Sequence, residues 1–279
     1  MKRSSIEALR SLDVELYYEE SGEGPPIILL HGFGATTYSW REIVPMLATK
    51  HRVINVDLKG FGKSPKPRDK HYSIYDQARI VTALIHKMNL DDAIIIGHSY
   101  GGGVALVTAL IAVNSESTRL LKLIIIDGMA YPQKLPGFVK LLRAPVTGSL
   151  AFKLFSTLHL TRSVLKLAYF DDKKIPEDAV RVYADPLRTS DGRRAFIQAA
   201  RQIIPDHIDD LVASYKKIAV PTLIIWGRED KIMPLRVGEL LCSAIPNSRL
   251  GIIEGCGHIP HEERPDETLR LILKFINQQ

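Results

Sequence analysis

The chain has 279 residues, of which 46% are hydrophobic and 24% charged, and its formal net charge is +6. This size and composition suit one large globular domain with a sizeable core and exclude an intrinsically disordered chain. Its two cysteines, Cys242 and Cys256, are too few and too isolated for a disulfide framework or a zinc cluster.

No apolar run reaches the roughly 18 residues that a membrane helix requires. The first stretch, MKRSSIEALRSLDVE, is interrupted by charged residues before the apolar core of a signal peptide is reached. We therefore expect a soluble, cytoplasmic protein with no stable membrane insertion.

Positive charge is concentrated in the middle of the chain. Residues 129–206 contain 13 Lys and Arg against 7 Asp and Glu, an excess equal to the net charge of the whole chain. A basic face attracts anionic substrates, lipid headgroups or nucleic acid, but no run of like charges and no RNA-binding motif accompanies it. We interpret the excess as a solvated surface and expect no nucleic-acid partner.

Apolar runs alternate with helical patterns along most of the chain, which is typical of a mostly parallel sheet with helices on both faces. The first predicted strand alternates polar and apolar residues and suits a sheet edge, whereas the others are apolar throughout. The predicted strands are 13–18, 26–30, 52–56, 93–96, 121–126, 222–226 and 250–253. The predicted helices are 40–48, 74–88, 102–113, 235–245 and 266–276.

The alternation stops between residues 129 and 206, a leucine- and lysine-rich stretch that is broken by prolines and contains no convincing buried strand. We predict a helical cap over one edge of the sheet, here called the cap segment, inserted into a core domain made of residues 1–128 and 207–279. Its leucines and phenylalanines either line a pocket for an apolar acyl or aryl group or pack the cap onto the core.

The sequence GHSYG occupies residues 97–101, where a predicted buried strand meets a predicted helix. An abrupt strand-to-helix turn holds one residue in strained backbone geometry, and small neighbours leave room for it. The G-x-S-x-G pattern therefore predicts a nucleophile elbow, with an exposed Ser99 hydroxyl at the positive end of the helix. The alternative is an ordinary helix-capping serine.

A serine nucleophile needs a base within hydrogen-bond reach and a carboxylate that orients the base. In this architecture the acid and then the histidine follow the serine. Asp230, in WGRED, and His258, in GCGH, each follow a predicted strand, so we predict the catalytic triad Ser99, Asp230 and His258. Asp127 also ends a predicted strand and is the rival acid. His261 opens a charged helix, which favours a surface role.

An oxyanion formed at the substrate carbonyl needs backbone N–H donors that are fixed beforehand. We assign one donor to Tyr100, which follows the nucleophile, and the other to Phe33 in the loop HGFG, with Gly34 as second choice. Substrate contacts are assigned to four further residues: His31, Gly32, Trp40 and His98. Six histidines lack a strand-end partner and do not pair with another at metal-ligand spacing, so we predict no metal; they are His31, His51, His71, His86, His159 and His207.

Taken together, six motifs resemble those of the α/β-hydrolase superfamily in order and spacing, over nearly the whole chain. They are HGFG at 31–34, Trp40, DLKGFGKS at 57–64, GHSYGG at 97–102, WGREDKIMP at 226–234 and GCGHIPHEERP at 255–265. The resemblance implies an α/β fold with a helical cap after the sixth strand, which coincides with residues 129–206. It also implies the same triad and no cofactor.

Serine at position 99 distinguishes the chain from relatives that resemble epoxide hydrolases and haloalkane dehalogenases, which use aspartate. Carboxylesterases, monoacylglycerol lipases, lactonases, thioesterases, perhydrolases and carbon–carbon bond hydrolases remain. The last group typically has asparagine before the nucleophile and Gly-Pro-Gly after the oxyanion loop, where this chain has His98 and GAT at 34–36.

We therefore predict a serine hydrolase that cleaves a carboxylic ester of a small to medium apolar substrate through an acyl-serine intermediate. The alternatives are a carbon–carbon bond hydrolase of aromatic catabolism and a hydrolase-like small-molecule receptor with slow turnover. In each case the expected partner is a small molecule, and the sequence leaves the oligomeric state open.

Overall fold

The computed structural model describes residues 14–113, 115, 118–144, 152 and 154–278. Seven strands form one sheet in the order β1-β3-β2-β4-β5-β6-β7. Only the pair β1 and β3 is antiparallel among these strands; all other neighbours are parallel. The strands are β1 (Tyr18–Ser21), β2 (Pro26–Leu30), β3 (Arg52–Val56), β4 (Ala93–His98), β5 (Leu120–Ile126), β6 (Thr222–Gly227) and β7 (Ser248–Ile253).

Helices connect the strands. In chain order the α-helices are α1 (Val44–Leu47), α2 (Ile74–Lys87), α3 (Tyr100–Val113), α4 (Gly137–Arg143), α5 (Thr157–Ala168), α6 (Glu177–Ala184), α7 (Ser190–Arg201), α8 (Ile208–Ser214), α9 (Leu235–Ala244), α10 (Pro260–Glu263) and α11 (Pro265–Ile276). Short 3₁₀ helices lie at Thr37–Trp40, Asp172–Lys174, Asp185–Arg188 and Tyr215–Lys217. No helix in the described part of the chain is both long and apolar enough to cross a membrane.

Two apolar layers enclose the sheet, one on each face. Side chains alternate between the layers along each strand, so Ile28 and Leu30 of β2 belong to one layer and Ile27 and Leu29 to the other. A strand buried on both faces must be apolar at every position. This is why the continuous apolar runs predict the central strands so closely. The predicted α/β architecture, a mostly parallel sheet between helices, is confirmed.

The first strand differs from its predicted position at 13–18, of which residue 13 lies outside the described residues. Strand β1 begins at Tyr18 and pairs with β3, while the N–H of Tyr17 donates to Ser64 Oγ at 2.8 Å. A side chain in the loop after β3 therefore takes the hydrogen bond that a neighbouring strand would otherwise make.

The predicted helix at 40–48 is also different, because it divides into the 3₁₀ helix Thr37–Trp40 and α1. Thr36 caps the first piece by accepting a hydrogen bond from the N–H of Tyr38 at 3.2 Å. Pro45 lies in the first turn of the second piece, a position where its missing N–H costs no hydrogen bond.

Between β5 and β6 the chain forms helices α4 to α8 and, among the described residues, no strand. The helical character predicted for the cap segment is therefore observed. It follows β5, the fifth of the seven described strands, whereas the resemblance implied a position after a sixth strand. Residues 145–151 and 153 of the cap segment lie outside the described residues, and its boundaries stay a prediction.

Candidate active site

Ser99 lies at the turn between β4 and α3, in a left-handed backbone conformation with φ of 51°. The flanking glycines are required by close backbone contacts. A Cβ on Gly97 would lie 2.4 Å from the carbonyl oxygen of Gly101, and one on Gly101 would lie 2.3 Å from that of Leu30. Because left-handed geometry costs a non-glycine residue free energy, the turn stores strain at the nucleophile.

The prediction of an exposed Ser99 hydroxyl is corrected, because the residue is only 8% accessible to solvent. Its backbone is fixed on both sides: the N–H donates to the carbonyl of Ile126 at 2.9 Å, and the carbonyl accepts from Met129 N–H at 2.9 Å. The hydroxyl therefore opens into an internal cavity and not onto the molecular surface.

The structure brings the three predicted triad residues together in one hydrogen-bonded chain. The Ser99 Oγ lies 2.8 Å from His258 Nε2, and His258 Nδ1 lies 2.7 Å from Asp230 Oδ2. With Nδ1–H donating to the carboxylate, Nε2 is free to accept the serine proton. All three residues are buried.

Asp230 is held by backbone donors from its own loop. Its Oδ1 accepts hydrogen bonds from the N–H groups of Ile232 at 2.7 Å and Met233 at 2.9 Å. The loop after β6 thus holds the acid in a fixed orientation toward His258.

Asp127, the rival acid, lies behind the triad at the end of β5 and is completely buried. Its Oδ1 accepts one hydrogen bond, from Gly227 N–H at 3.0 Å. Burial raises the pKa of Asp127 well above its ordinary value, and the nearby negative charge of Asp230 raises it further. Burial and the neighbouring carboxylate thus favour the protonated form of Asp127.

Among the described residues, one group of side chains is compact enough to hold a metal ion: Asp127, Asp230 and His258. Each offers one oxygen or nitrogen, and these atoms lie within 4.8 Å of one another. Two of these side chains already bind each other through Asp230 Oδ2 and His258 Nδ1. The hydrogen-bond pattern therefore suits proton transfer better than metal binding.

The loop at residues 31–34 passes directly beside the nucleophile. A Cβ on Gly32 would lie 3.3 Å from Ser99 Cβ and 2.7 Å from His98 Nδ1. Phe33, Gly34 and Tyr100 line the cavity beside Ser99. The Tyr100 N–H belongs to the first turn of α3, where backbone donors lack partners within the helix. The assignment of the oxyanion donors stays a prediction.

A cavity of about 430 Å³ lies between the sheet edge and the cap segment, with Ser99 and His258 in its wall. Most of its lining is aliphatic or aromatic. Among the described residues the lining contains no lysine or arginine, and its one acidic side chain is that of Glu262. Cap residues in the lining include Met129, Leu142, Phe152, Leu165 and Phe196.

Of the four residues assigned to substrate contact, Gly32 and His98 line this cavity, but His31 and Trp40 do not. His31 is fully buried; its Nε2 accepts from Leu58 N–H at 3.0 Å and its Nδ1 donates to the carbonyl of Gly32 at 2.8 Å. It shapes the loop from behind. Trp40 packs in the apolar layer on the opposite face of the sheet. Both assignments are therefore corrected.

His261 is also corrected, because it is fully buried and not at the surface. Its ring lies between those of Trp40 and His98, with centroids 4.4 Å and 4.5 Å away and both pairs tilted. Burial, together with the positive charge of Arg41, lowers the pKa of His261 to about 3. His261 is thus a neutral packing group.

His98 has a role that the sequence did not indicate. Its Nε2–H donates to the backbone carbonyl of His258 at 2.8 Å. Burial lowers the pKa of His98 well below its ordinary value, and the neighbouring histidines His261 and His258 lower it further. The residue before the nucleophile therefore acts as a neutral donor to the loop that carries the base.

Comparison with known proteins agrees with this geometry. A family model described as alpha/beta hydrolase fold matches residues 25–265. The chain is 29% identical over 276 residues to 2-hydroxy-6-oxo-6-phenylhexa-2,4-dienoate hydrolase of Comamonas testosteroni, covering 96% of this chain and 93% of the relative.

Two solved structures are similar over nearly the whole chain. An alpha/beta hydrolase fold protein from Burkholderia ambifaria has a TM-score of 0.83 at 27% identity, with 94% of each chain covered. A meta-cleavage product hydrolase from Pseudomonas fluorescens has a TM-score of 0.79 at 25% identity, with 95% of each chain covered. The named relatives thus favour the carbon–carbon alternative over the ester prediction.

Proposed function

Because the chain belongs to the α/β-hydrolase family and is a hydrolase of that fold, we propose that it cleaves a neutral, largely apolar carboxylic ester through an acyl-serine intermediate. One observation carries the proposal. The hydrogen-bonded chain of Ser99, His258 and Asp230 opens into an apolar cavity whose described lining holds no cationic side chain.

In the first half-reaction, Ser99 Oγ attacks the ester carbonyl while His258 Nε2 takes its proton. The oxyanion accepts hydrogen bonds from the N–H groups of Phe33 and Tyr100. His258 then gives its proton to the leaving alcohol, which leaves the acyl group on Ser99. Asp230 keeps the imidazole in the required tautomer and offsets its positive charge.

In the second half-reaction the same groups act on water. His258 Nε2 removes a proton from a water molecule as its oxygen attacks the acyl carbon. Collapse of the second oxyanion breaks the bond to Ser99 Oγ, which regains the proton from His258. The products are one carboxylic acid and one alcohol, and the enzyme returns to its starting state.

Charge in the cavity supports a neutral substrate. Moving a carboxylate from water into an apolar site costs several kcal/mol unless a cation pairs with it. The acidic side chain in the described lining, Glu262, is already paired: its Oε2 accepts from Arg41 Nη1 at 2.7 Å and its Oε1 from the Tyr183 hydroxyl at 2.7 Å, so the lining presents no unpaired cation to a carboxylate. The cavity volume of about 430 Å³ suits a medium-sized ligand.

Carbon–carbon bond hydrolysis is the second candidate, and the comparisons favour it. The relative from Comamonas testosteroni is named for a dienoate substrate, and one solved neighbour is named a meta-cleavage product hydrolase. Both candidates share the attack of Ser99 on a carbonyl. They differ in the charge of the substrate, since a dienoate brings a carboxylate into the cavity.

The two candidates are separated by steady-state kinetics on matched substrates. We would compare p-nitrophenyl esters from acetyl to palmitoyl with 2-hydroxy-6-oxo-6-phenylhexa-2,4-dienoate, using Ser99→Ala as the blank. We expect many turnovers on a medium-chain ester, little cleavage of the dienoate and no turnover by the variant. Ser243→Ala, on the surface of α9, is the matched control and should behave as wild type.

Faster cleavage of the dienoate would establish the second candidate instead. A single turnover followed by arrest would favour the slow receptor alternative, in which the ligand raises protein stability without being consumed at a useful rate. Steady-state turnover retained by Ser99→Ala would overturn the acyl-serine mechanism itself.

A further inference from the structure

The carboxylate of Glu263 joins two parts of the chain that lie far apart in sequence. It is 4% exposed and ends helix α10, five residues after His258. Its Oε2 accepts hydrogen bonds from Gly257 N–H at 2.8 Å and Phe170 N–H at 3.1 Å, and its Oε1 accepts from Asp171 N–H at 2.9 Å. One donor precedes the catalytic histidine, and the other two belong to the cap segment.

His258 also touches the cap segment directly. Its backbone N–H donates to the carbonyl of Ala168, the last residue of α5, at 2.7 Å. The contact is close enough to require glycine beside it, since a Cβ on Gly257 would lie 2.2 Å from the same oxygen and 2.7 Å from Phe170 N. The backbone of the catalytic base is therefore fixed by the cap segment.

From these contacts, and on the basis of the proposed hydrolysis, we propose that Glu263 is a positioning residue. It holds the cap segment against the loop at residues 254–259, here called the catalytic-histidine loop, and thereby fixes the imidazole of His258. The imidazole must satisfy two short distances at once, 2.8 Å to Ser99 and 2.7 Å to Asp230. A small displacement of the loop lengthens both.

The choice of a carboxylate at this point has a chemical reason. Three backbone N–H groups converge on one side chain, and a carboxylate offers acceptors on both oxygens and no donor. Glu263 forms no ion pair with any described residue, so these N–H groups carry the compensation for its burial. A glutamine of the same shape would turn an NH₂ group toward at least one of the donors.

The main test is Glu263→Gln, measured as kcat per active site on the preferred p-nitrophenyl ester. Active sites are counted by end-point labelling of Ser99 with a fluorophosphonate, so that loss of folded protein is separated from loss of rate. We expect kcat per labelled site to fall on the order of tenfold, because small misplacements of a catalytic group have effects of this size. KM should change less than kcat.

Glu254→Gln is the matched control, because it removes the same charge from an exposed glutamate that pairs with Arg228. It should retain the wild-type kcat. A second readout is the proton NMR signal of His258 Nδ1–H. We expect this signal to broaden in Glu263→Gln and to stay sharp in Glu254→Gln. An unchanged kcat per site with an unchanged signal would overturn the proposal.

Gly257→Ala tests the same contact without touching Glu263. Its Cβ would push against the Ala168 carbonyl and part the cap segment from the loop, so we expect kcat per site to fall here as well. If Glu263→Gln does not fold and Gly257→Ala keeps the wild-type kcat, the proposal is wrong. Failure of the proposed function is distinguishable, because it would appear in proteins with Glu263 intact: as missing ester turnover by the wild type, or as turnover retained by Ser99→Ala.

Discussion

The loops after β5 and β6 both place a buried aspartate beside His258, yet the two carboxyl groups differ in the hydrogen-bond donors around them. Asp230 accepts two backbone N–H groups and the imidazole, whereas Asp127 accepts one backbone N–H. Burial and the proximity of Asp230 raise the pKa of Asp127 well above its ordinary value. The number of donors around each carboxyl group thus decides which aspartate can serve as the acid.

The largest effect on this comparison is expected from Asp230→Asn. The amide carries no negative charge, and its NH₂ group can donate to Nδ1, so the imidazole loses its charge partner and its required tautomer. We expect kcat to fall on the order of a thousandfold or more. Asp127 should give no rescue at any pH. Ester hydrolysis measured from pH 6 to 9 checks this, and a kcat within tenfold of wild type would show that the two loops are interchangeable.

A much smaller effect is expected from Asp127→Asn. Asparagine has the shape of the uncharged aspartic acid and retains an oxygen for the N–H of Gly227. We expect kcat at pH 7 to stay within about threefold of wild type, the size of a modest rearrangement near the site. The comparison with Asp230→Asn is made on the same ester. A loss as large as that of Asp230→Asn would mean that Asp127 carries the catalytic charge.

The smallest effect concerns stability. A carboxyl group whose pKa is raised in the folded state keeps its proton there while the unfolded chain releases it, so the wild type loses stability as pH rises above about 4. Asp127→Asn has no such proton. We expect the variant's Tm, relative to wild type, to increase between pH 5 and pH 8 in calorimetry. A difference that does not depend on pH would show that Asp127 is ionised.

The sheet could be predicted because its physics is local. Strands buried on both faces must be apolar at each position, and β2 to β6 are visible for that reason. The candidate triad was assembled from the same pattern, since residues that follow parallel strands meet at one edge. The strained turn at Ser99 is likewise signalled locally, by the two glycines beside it.

The sequence does not show in the same way whether a loop side chain faces the cavity or points away from it. Trp40 and His31 occupy motif positions but face away from the cavity, because a small change in loop direction places a side chain behind the sheet or beside the substrate. The contact of His258 with Ala168 joins residues 90 positions apart through backbone atoms. Any sequence offers such atoms. Gly257 marks a close approach at this position, but not the segment that makes it.

The hydrogen bond from the His258 N–H to Ala168 also bears on where substrate enters the cavity and product leaves it. We expect residues 168–171 to stay in place while substrate and product exchange. Moving them would break their contact with the catalytic base and so disable it. Leu141 and Ile204 line the cavity and are each 41% exposed. We expect substrate to enter on their side of the cap segment, where its passage leaves the contact between Ala168 and His258 in place.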